Sequence, residues 1–140
     1  MQRKNLRLKH GVAIARSEQA ALLAQPLADM ALVKLECFAY LQEAREYLAD
    51  HHPRVILLDY ELCGAAGVFA LAELMAEVDA PVILIVRDVS EWEQEQFQTL
   101  GVHAVLQSPF RISQLAAMVD AALKRRRRIG SSDRLPPVPV

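Results

Sequence analysis

The stretch Pro53 to Gly67, PRVILLDYELCGAAG, decides the fold. Val55-Ile56-Leu57-Leu58 is a short apolar run that stops on the carboxylate of Asp59. Periodicity alone does not separate a buried strand from a buried helical segment. The length of the run, the β-branched Val55 and Ile56, and the flanking Pro53 and Gly64 favour a strand covered on both faces. In an open α/β sheet, ligands and chemistry occupy the crevice beyond the carboxyl ends of the strands. Asp59 is expected at that edge. A surface carboxylate that caps a turn is the plainer alternative, and this stretch alone leaves both open.

Toward the N-terminus, Val12–Ala15 reads as a first buried strand, followed by Ser17 as N-cap and Glu18 in the first turn of a helix. Ala21, Leu22, Ala24 and Leu27 give that helix its apolar spacing, and Pro26 is expected to kink it or end it early. Leu32–Phe38 alternates apolar and polar residues, as a strand near a sheet edge does, and Leu41–Ala49 is a helix with Leu41, Ala44 and Leu48 on one face. Toward the C-terminus, Val68–Val78 is helical with Leu71, Leu74, Met75 and Val78 inward, and Pro81 introduces the strand Val82–Val86. Ser90 and Glu93 form a capping box for a short helix ending before Gly101. Val102–Leu106 is a fifth strand, and Ile112–Arg128 a last helix with Leu115, Met118, Val119 and Ala122 inward. Five strands alternating with five helices imply an α/β fold, a five-stranded parallel sheet with helices on both faces.

At 140 residues the chain has the size of one domain, and no apolar stretch approaches the ~20 residues of a membrane span. The basic start, MQRKNLRLKHG, has no signal-peptide core behind it, so a cytoplasmic location is expected. Cys37 and Cys63 lack metal or redox spacing and read as small core thiols; His10, His51, His52 and His103 read as surface or loop residues. Residues 10–123 carry 16 acidic and six basic side chains, a balance of −10, which argues against a nucleic-acid face on the globular part. The run Lys124, Arg125, Arg126, Arg127 and Arg128 is the exception; it is either a solvated helix end that complements the helix dipole or a contact for nucleic acid or an acidic partner. Three segments are expected: a basic N-terminal stretch over 1–10, the domain over 11–128, and a Ser/Pro-rich linker or tail over 129–140. No Gly-x-Gly-x-x-Gly, Walker-type lysine loop or Gly-x-Ser-x-Gly elbow follows any strand, so no enzyme is expected.

Several landmarks in combination resemble the receiver domain of bacterial two-component response regulators, over roughly residues 12–127. Asp59 ends the third strand, Leu62 and Gly67 follow it, Pro81 opens the fourth strand, Gly101 precedes the fifth, and Pro109-Phe110 follows that one. The resemblance implies the flavodoxin-like (βα)5 receiver fold. It also implies a chemistry: two acidic residues after the first strand and the phosphoacceptor Asp hold Mg²⁺, a hydroxyl residue ends the fourth strand, and a Lys precedes the Pro after the fifth. A carboxylate attacking a dianionic phosphoryl group needs that metal and that Lys to offset the gathering charge.

Residue by residue, this chain keeps only Asp59. The acidic pair falls on Arg16 and Ser17, the hydroxyl on Val86, the lysine on Ser108, and the switch aromatic of the fifth strand on Val105. Mg²⁺ binding is not expected, because a hard cation wants several oxygens and tolerates a guanidinium poorly; Glu18 offers one awkward substitute ligand. Arg16 and Arg87 each bring a permanent positive charge, and at least one is expected to pair with Asp59, the alternative being that both face solvent. The resemblance therefore implies a degenerate variant, a pseudo-receiver, acting as a regulatory interaction or dimerisation module with an effector domain or partner protein. Homodimerisation is expected through the face of the fourth helix, fifth strand and fifth helix, with Trp92, Phe97, Ile112 and Leu115 on it, or with those residues simply in the core. A working phosphoacceptor at Asp59, or a small-anion sensor around Arg16, Asp59, Arg87 and Ser108, remains the alternative.

Overall fold

A computed structural model describes residues 8–132, with side chains described through Lys124. The basic residues Arg3, Lys4 and Arg7, the side chains of Arg125 to Arg128 and the tail over 133–140 lie outside the described residues. In chain order the elements are β1 (Lys9–Ile14), α1 (Ser17–Asp29), β2 (Val33–Phe38), α2 (Leu41–Leu48), β3 (Ile56–Asp59), a 3-10 segment (Tyr60–Ala66), α3 (Val68–Glu77), β4 (Val82–Val86), α4 (Glu91–Leu100), β5 (Ala104–Gln107) and α5 (Ile112–Ser132). The sheet is parallel throughout, with strand order β2-β1-β3-β4-β5.

Alternation along the strands builds two cores. Val12 and Ile14 of β1, Ile56 and Leu58 of β3, and Val82, Leu84 and Val86 of β4 pack on one face with Ala44 and Leu48 of α2, Leu71 and Leu74 of α3, and Phe97 of α4. Ala13, Leu57, Ile83 and Ile85 point the other way, against Leu23 and Leu27 of α1 and Leu115, Val119 and Ala122 of α5. Each fully buried Leu or Ile is worth about 1.5–3 kcal/mol. Three central strands with apolar side chains on both faces are thus the main reason the chain folds this way. No helix among the described residues is long and apolar enough to cross a membrane.

Several details differ from the sequence reading. α1 runs through Pro26 to Asp29. The proline stands in the last turn, where its missing N–H can withhold a helical bond only from the carbonyl of Leu22, an exposed residue. The inward side of α1 is Ala20, Leu23 and Leu27, one residue round from the expected Ala21 and Leu22. Ser17 is the first helical residue, and the N-cap is Arg16, whose side chain caps nothing. α5 continues to Ser132, beyond the expected end at Arg128. Cys37 is exposed because β2 is an edge strand, whereas Cys63 is buried. His10 belongs to β1, with Nε2 2.9 Å from the Tyr47 hydroxyl, and so is not a loop residue.

Candidate functional site

β1, β3 and β4 lie side by side, and their carboxyl ends form the edge on which the expected site falls. Asp59, the last residue of β3, is only 2% exposed. Its Oδ1 accepts a 3.0 Å hydrogen bond from the Glu61 amide, so it does cap the 3-10 turn, yet it is no surface residue. Its Oδ2 is buried and has no hydrogen-bond partner. The charge is felt next door: burial first, and Asp59 second, push the Cys63 thiol up to about 11.

Neither arginine pairs with Asp59. Arg16, just past β1, and Arg87, just past β4, both turn to Glu61 instead. Arg16 Nη2 is 3.1 Å from Glu61 Oε1, and Arg87 Nη1 is 3.0 Å from Glu61 Oε2. The 3-10 turn accounts for this choice. It begins directly after Asp59 and carries Glu61 in its first turn, where solvated guanidiniums reach it more cheaply than they reach a buried acid. All three partners are about half exposed, at 59%, 44% and 42% for Arg16, Arg87 and Glu61. Glu61 is thus the site residue that the sequence reading missed. Its only signal is its place two residues after Asp59.

The other expected positions fall as follows. Val86 is buried at the end of β4, and the Ser108 amide donates a 2.8 Å bond to its carbonyl, closing β5 onto β4. Gln107 Nε2 donates to the Arg87 carbonyl, a further strand-end tie the sequence did not disclose. Ser17 and Glu18 are exposed in the first turn of α1. The carboxylates at this edge are Asp59, which is buried, and Glu61, which is held by the two guanidiniums. Among the described residues no three His, Cys, Asp or Glu side chains converge as metal ligands would.

Tyr60 carries the edge over to α4. Its hydroxyl donates a 2.8 Å bond to Glu93 Oε2, and its ring meets Phe97 edge-on at 4.9 Å between centroids. Burial, then the bond to Glu93, raise its phenol above the ordinary tyrosine range. Glu93 Oε1 accepts from the Ser90 amide at 2.9 Å, completing the capping box with the 3.1 Å bond from the Glu93 amide to Ser90 Oγ. Gly67 has φ +50°, the backbone region that favours glycine, and a Cβ there would crowd the Tyr60 hydroxyl at 3.0 Å.

On the expected interaction face, Phe97 and Leu115 are fully buried and belong to the two cores rather than to the surface. Trp92 is 53% exposed and Val105 also faces solvent, while Ile112 is half-buried. Lys124 is exposed and pairs with Asp120 at 3.0 Å.

Sheet order, helix placement and the carboxylate at the end of β3 define the receiver fold of response regulators. The chain is similar to the phosphate regulon transcriptional regulatory protein PhoB of Pseudomonas aeruginosa, 30% identical over an alignment of 125 positions that covers 82% of this chain and 53% of PhoB. It is 27% identical to the transcriptional regulatory protein PdtaR of Mycobacterium tuberculosis over an alignment of 119 positions that covers 81% of this chain and 57% of PdtaR. The chain therefore spans about half the length of the curated relatives it matches. No family model matches it. Among solved structures, NtrX of Brucella abortus superposes with a TM-score of 0.80 at 19% identity, over 96% of this chain and 31% of NtrX. The receiver domain of the Francisella response regulator 1452 superposes with a TM-score of 0.73 at 21% identity, over 85% of this chain and 98% of that one.

Proposed function

We propose that this chain is the receiver part of a bacterial two-component response regulator that works as a protein–protein interaction module, independently of phosphorylation at Asp59. The observation that carries the reading is the arrangement of charge at the sheet edge. Asp59 is buried with one oxygen unpartnered, and the two cations that flank it are committed to Glu61. Phosphoryl transfer to a carboxylate depends on positive charge gathered at the transferring group. Here Ser108 stands in place of the lysine and Val86 in place of the hydroxyl residue, and Arg16 and Ser17 take the place of the acidic pair that would hold Mg²⁺. On this reading the domain holds no Mg²⁺, is not an enzyme and acts in the cytoplasm. Its output passes to an effector domain or a separate partner, in keeping with the transcriptional regulators it resembles.

The proposed contact surface is the face of α4, β5 and α5, used by a second copy of the chain. Trp92, Val105 and Ile112 supply its apolar part, with Phe97 and Leu115 supporting it from below. Lys124 to Arg128 are the place for any acidic partner or nucleic acid. The test is incubation with acetyl phosphate and Mg²⁺, followed by intact-mass measurement of wild type and Asp59→Asn. The expected result is no phosphoryl adduct on either. A stoichiometric adduct on the wild type that Asp59→Asn abolishes overturns the reading and makes Asp59 a working phosphoacceptor.

A further inference from the structure

β1 begins at the amino edge of the sheet, and a short run of contacts leads from there to a groove. His10, the second residue of β1, has Nε2 2.9 Å from the Tyr47 hydroxyl on α2. The Tyr47 ring stacks on His51, 3.8 Å between centroids and 2° from parallel. His51 in turn lines one of two hollows, about 280 and 250 Å³, which share Leu48 and Glu77 as walls and so make one groove between α2 and α3. Leu48, Pro53 and Val78 give the end that holds His51 an apolar lining. Arg45 lies across the other half. Its Nε and Nη2 hold the two oxygens of Glu77 at 3.0 and 2.5 Å, and Nη1 is 3.4 Å from Glu73. Glu46 and Asp79 add two further carboxylates to the rim. Four acids against the guanidinium of Arg45 leave these walls net negative, and Arg45 shows that they take a guanidinium in a bidentate grip.

We propose that the basic residues 3–7 of this chain dock in the groove between α2 and α3 as an intramolecular arm. Arg3, Lys4 and Arg7 bring positive charge to the acidic rim, and Leu6 between them matches the lining of Leu48, Pro53 and Val78. The length fits. The five residues from Leu8 back to Arg3 extend to about 16–18 Å. α2, with its eight residues, is about 12 Å long, so the arm spans the groove from His51 to the Glu46 end. Each exposed ion pair is weak. The tether offsets this, because a short linker holds the arm at an effective concentration on the order of millimolar. Docking covers His51 and His52 and leaves the face of α4, β5 and α5 open, so the arm and a second copy of the chain use separate surfaces.

The experiment is zero-length carbodiimide crosslinking of the full chain at low ionic strength, which joins an amine only to a carboxylate it touches, read by peptide mass spectrometry. An equal mixture of unlabelled and isotope-labelled chain separates links within one molecule from links between two. Wild type, Arg7→Lys and the double variant Arg3→Glu/Arg7→Glu are compared, each checked for an intact thermal transition. Lys4, and in Arg7→Lys also the amine at position 7, should join Glu46 or Asp79 within one molecule. The yield should fall severalfold in about 0.5 M salt, where exposed charges are screened. The double variant keeps the Lys4 amine but reverses the charges beside it, so its groove link should fall about threefold or more. Links from Lys4 spread equally over Glu91 and Glu95 of α4 overturn the proposal. So do links that run chiefly between labelled and unlabelled chains, which put the arm on a second copy. Undiminished linking in the double variant, or no groove link in either wild type or Arg7→Lys, overturns it too. None of these outcomes depends on the acetyl phosphate result, since no step involves Asp59.

Discussion

Replacing Asp59 by asparagine takes one negative charge out of a buried position while keeping the side chain's shape. The Asn carbonyl still accepts the 3.0 Å bond from the Glu61 amide. The change falls on the second oxygen, which is buried and unpartnered. A buried polar group without a partner costs about 1–3 kcal/mol, and more when it is charged. The amide NH₂ put in its place also lacks a partner, so only the difference between a charged and a neutral orphan is recovered, about 1–2 kcal/mol. For a domain of this size that corresponds to a rise in Tm of roughly 3–8 °C. Asp59→Ala removes the orphan altogether but leaves a small cavity and the Glu61 amide without its acceptor, and should sit within about 2 °C of wild type. Thermal denaturation followed by circular dichroism at neutral pH reads both, with a urea titration to confirm the Asn value. A fall of a few degrees for Asp59→Asn refutes the reasoning. It would mean that Arg16 and Arg87 stabilise Asp59 through space even while bound to Glu61.

Tyr60→Phe keeps the ring against Phe97 and removes the hydroxyl bond to Glu93, so a loss of about 1 kcal/mol is expected in urea denaturation. The Glu93 carboxyl is held below its ordinary value of 4.5 by the Ser90 amide first and the Tyr60 hydroxyl next. A depressed acid contributes stability above its unfolded value and loses it as pH falls through the folded one. The gap between wild type and Tyr60→Phe should therefore be constant near neutrality and close in acid; a gap that widens below pH 4.5 contradicts this. With a thiol-reactive disulfide reagent, Cys37 on the β2 edge should titrate in the native protein. Cys63, buried and pushed up to about 11, should react only after denaturant is added; rapid native reaction of both thiols contradicts its burial.

The sheet was legible because Val55–Leu58 and Val82–Val86 are apolar on both faces, a demand only a two-sided covering meets. The capping box at Ser90 and Glu93 and the stop at Gly101 were legible because they are local, within a single turn of chain. The charge pairing at the site was not. Which carboxylate two arginines choose depends on how a 3-10 turn redirects Glu61 across the strand ends, and periodicity carries no record of that. Phe97 and Leu115 were left open between an interaction face and the core for a related reason. An apolar residue at helical spacing announces that it is buried against something, but not whether the partner is its own sheet or another molecule. Pro26 shows the limit of a strong local rule, since its cost depends on how near the helix end it falls.

Glu93 has two oxygens and both are assigned, Oε1 to Ser90 and Oε2 to Tyr60. One side chain thus holds two degrees of freedom at once: the pitch of the first turn of α4 and the tilt of the ring that follows Asp59. If the Tyr60 ring swings away, Glu93 must either leave a phenol unsatisfied or rotate and release the turn it caps. The end of β3 and the start of α4 are mechanically geared, although 33 residues of chain separate Tyr60 from Glu93. The Tyr60 ring at the sheet edge and the cap of the helix that carries Trp92 therefore share one carboxylate.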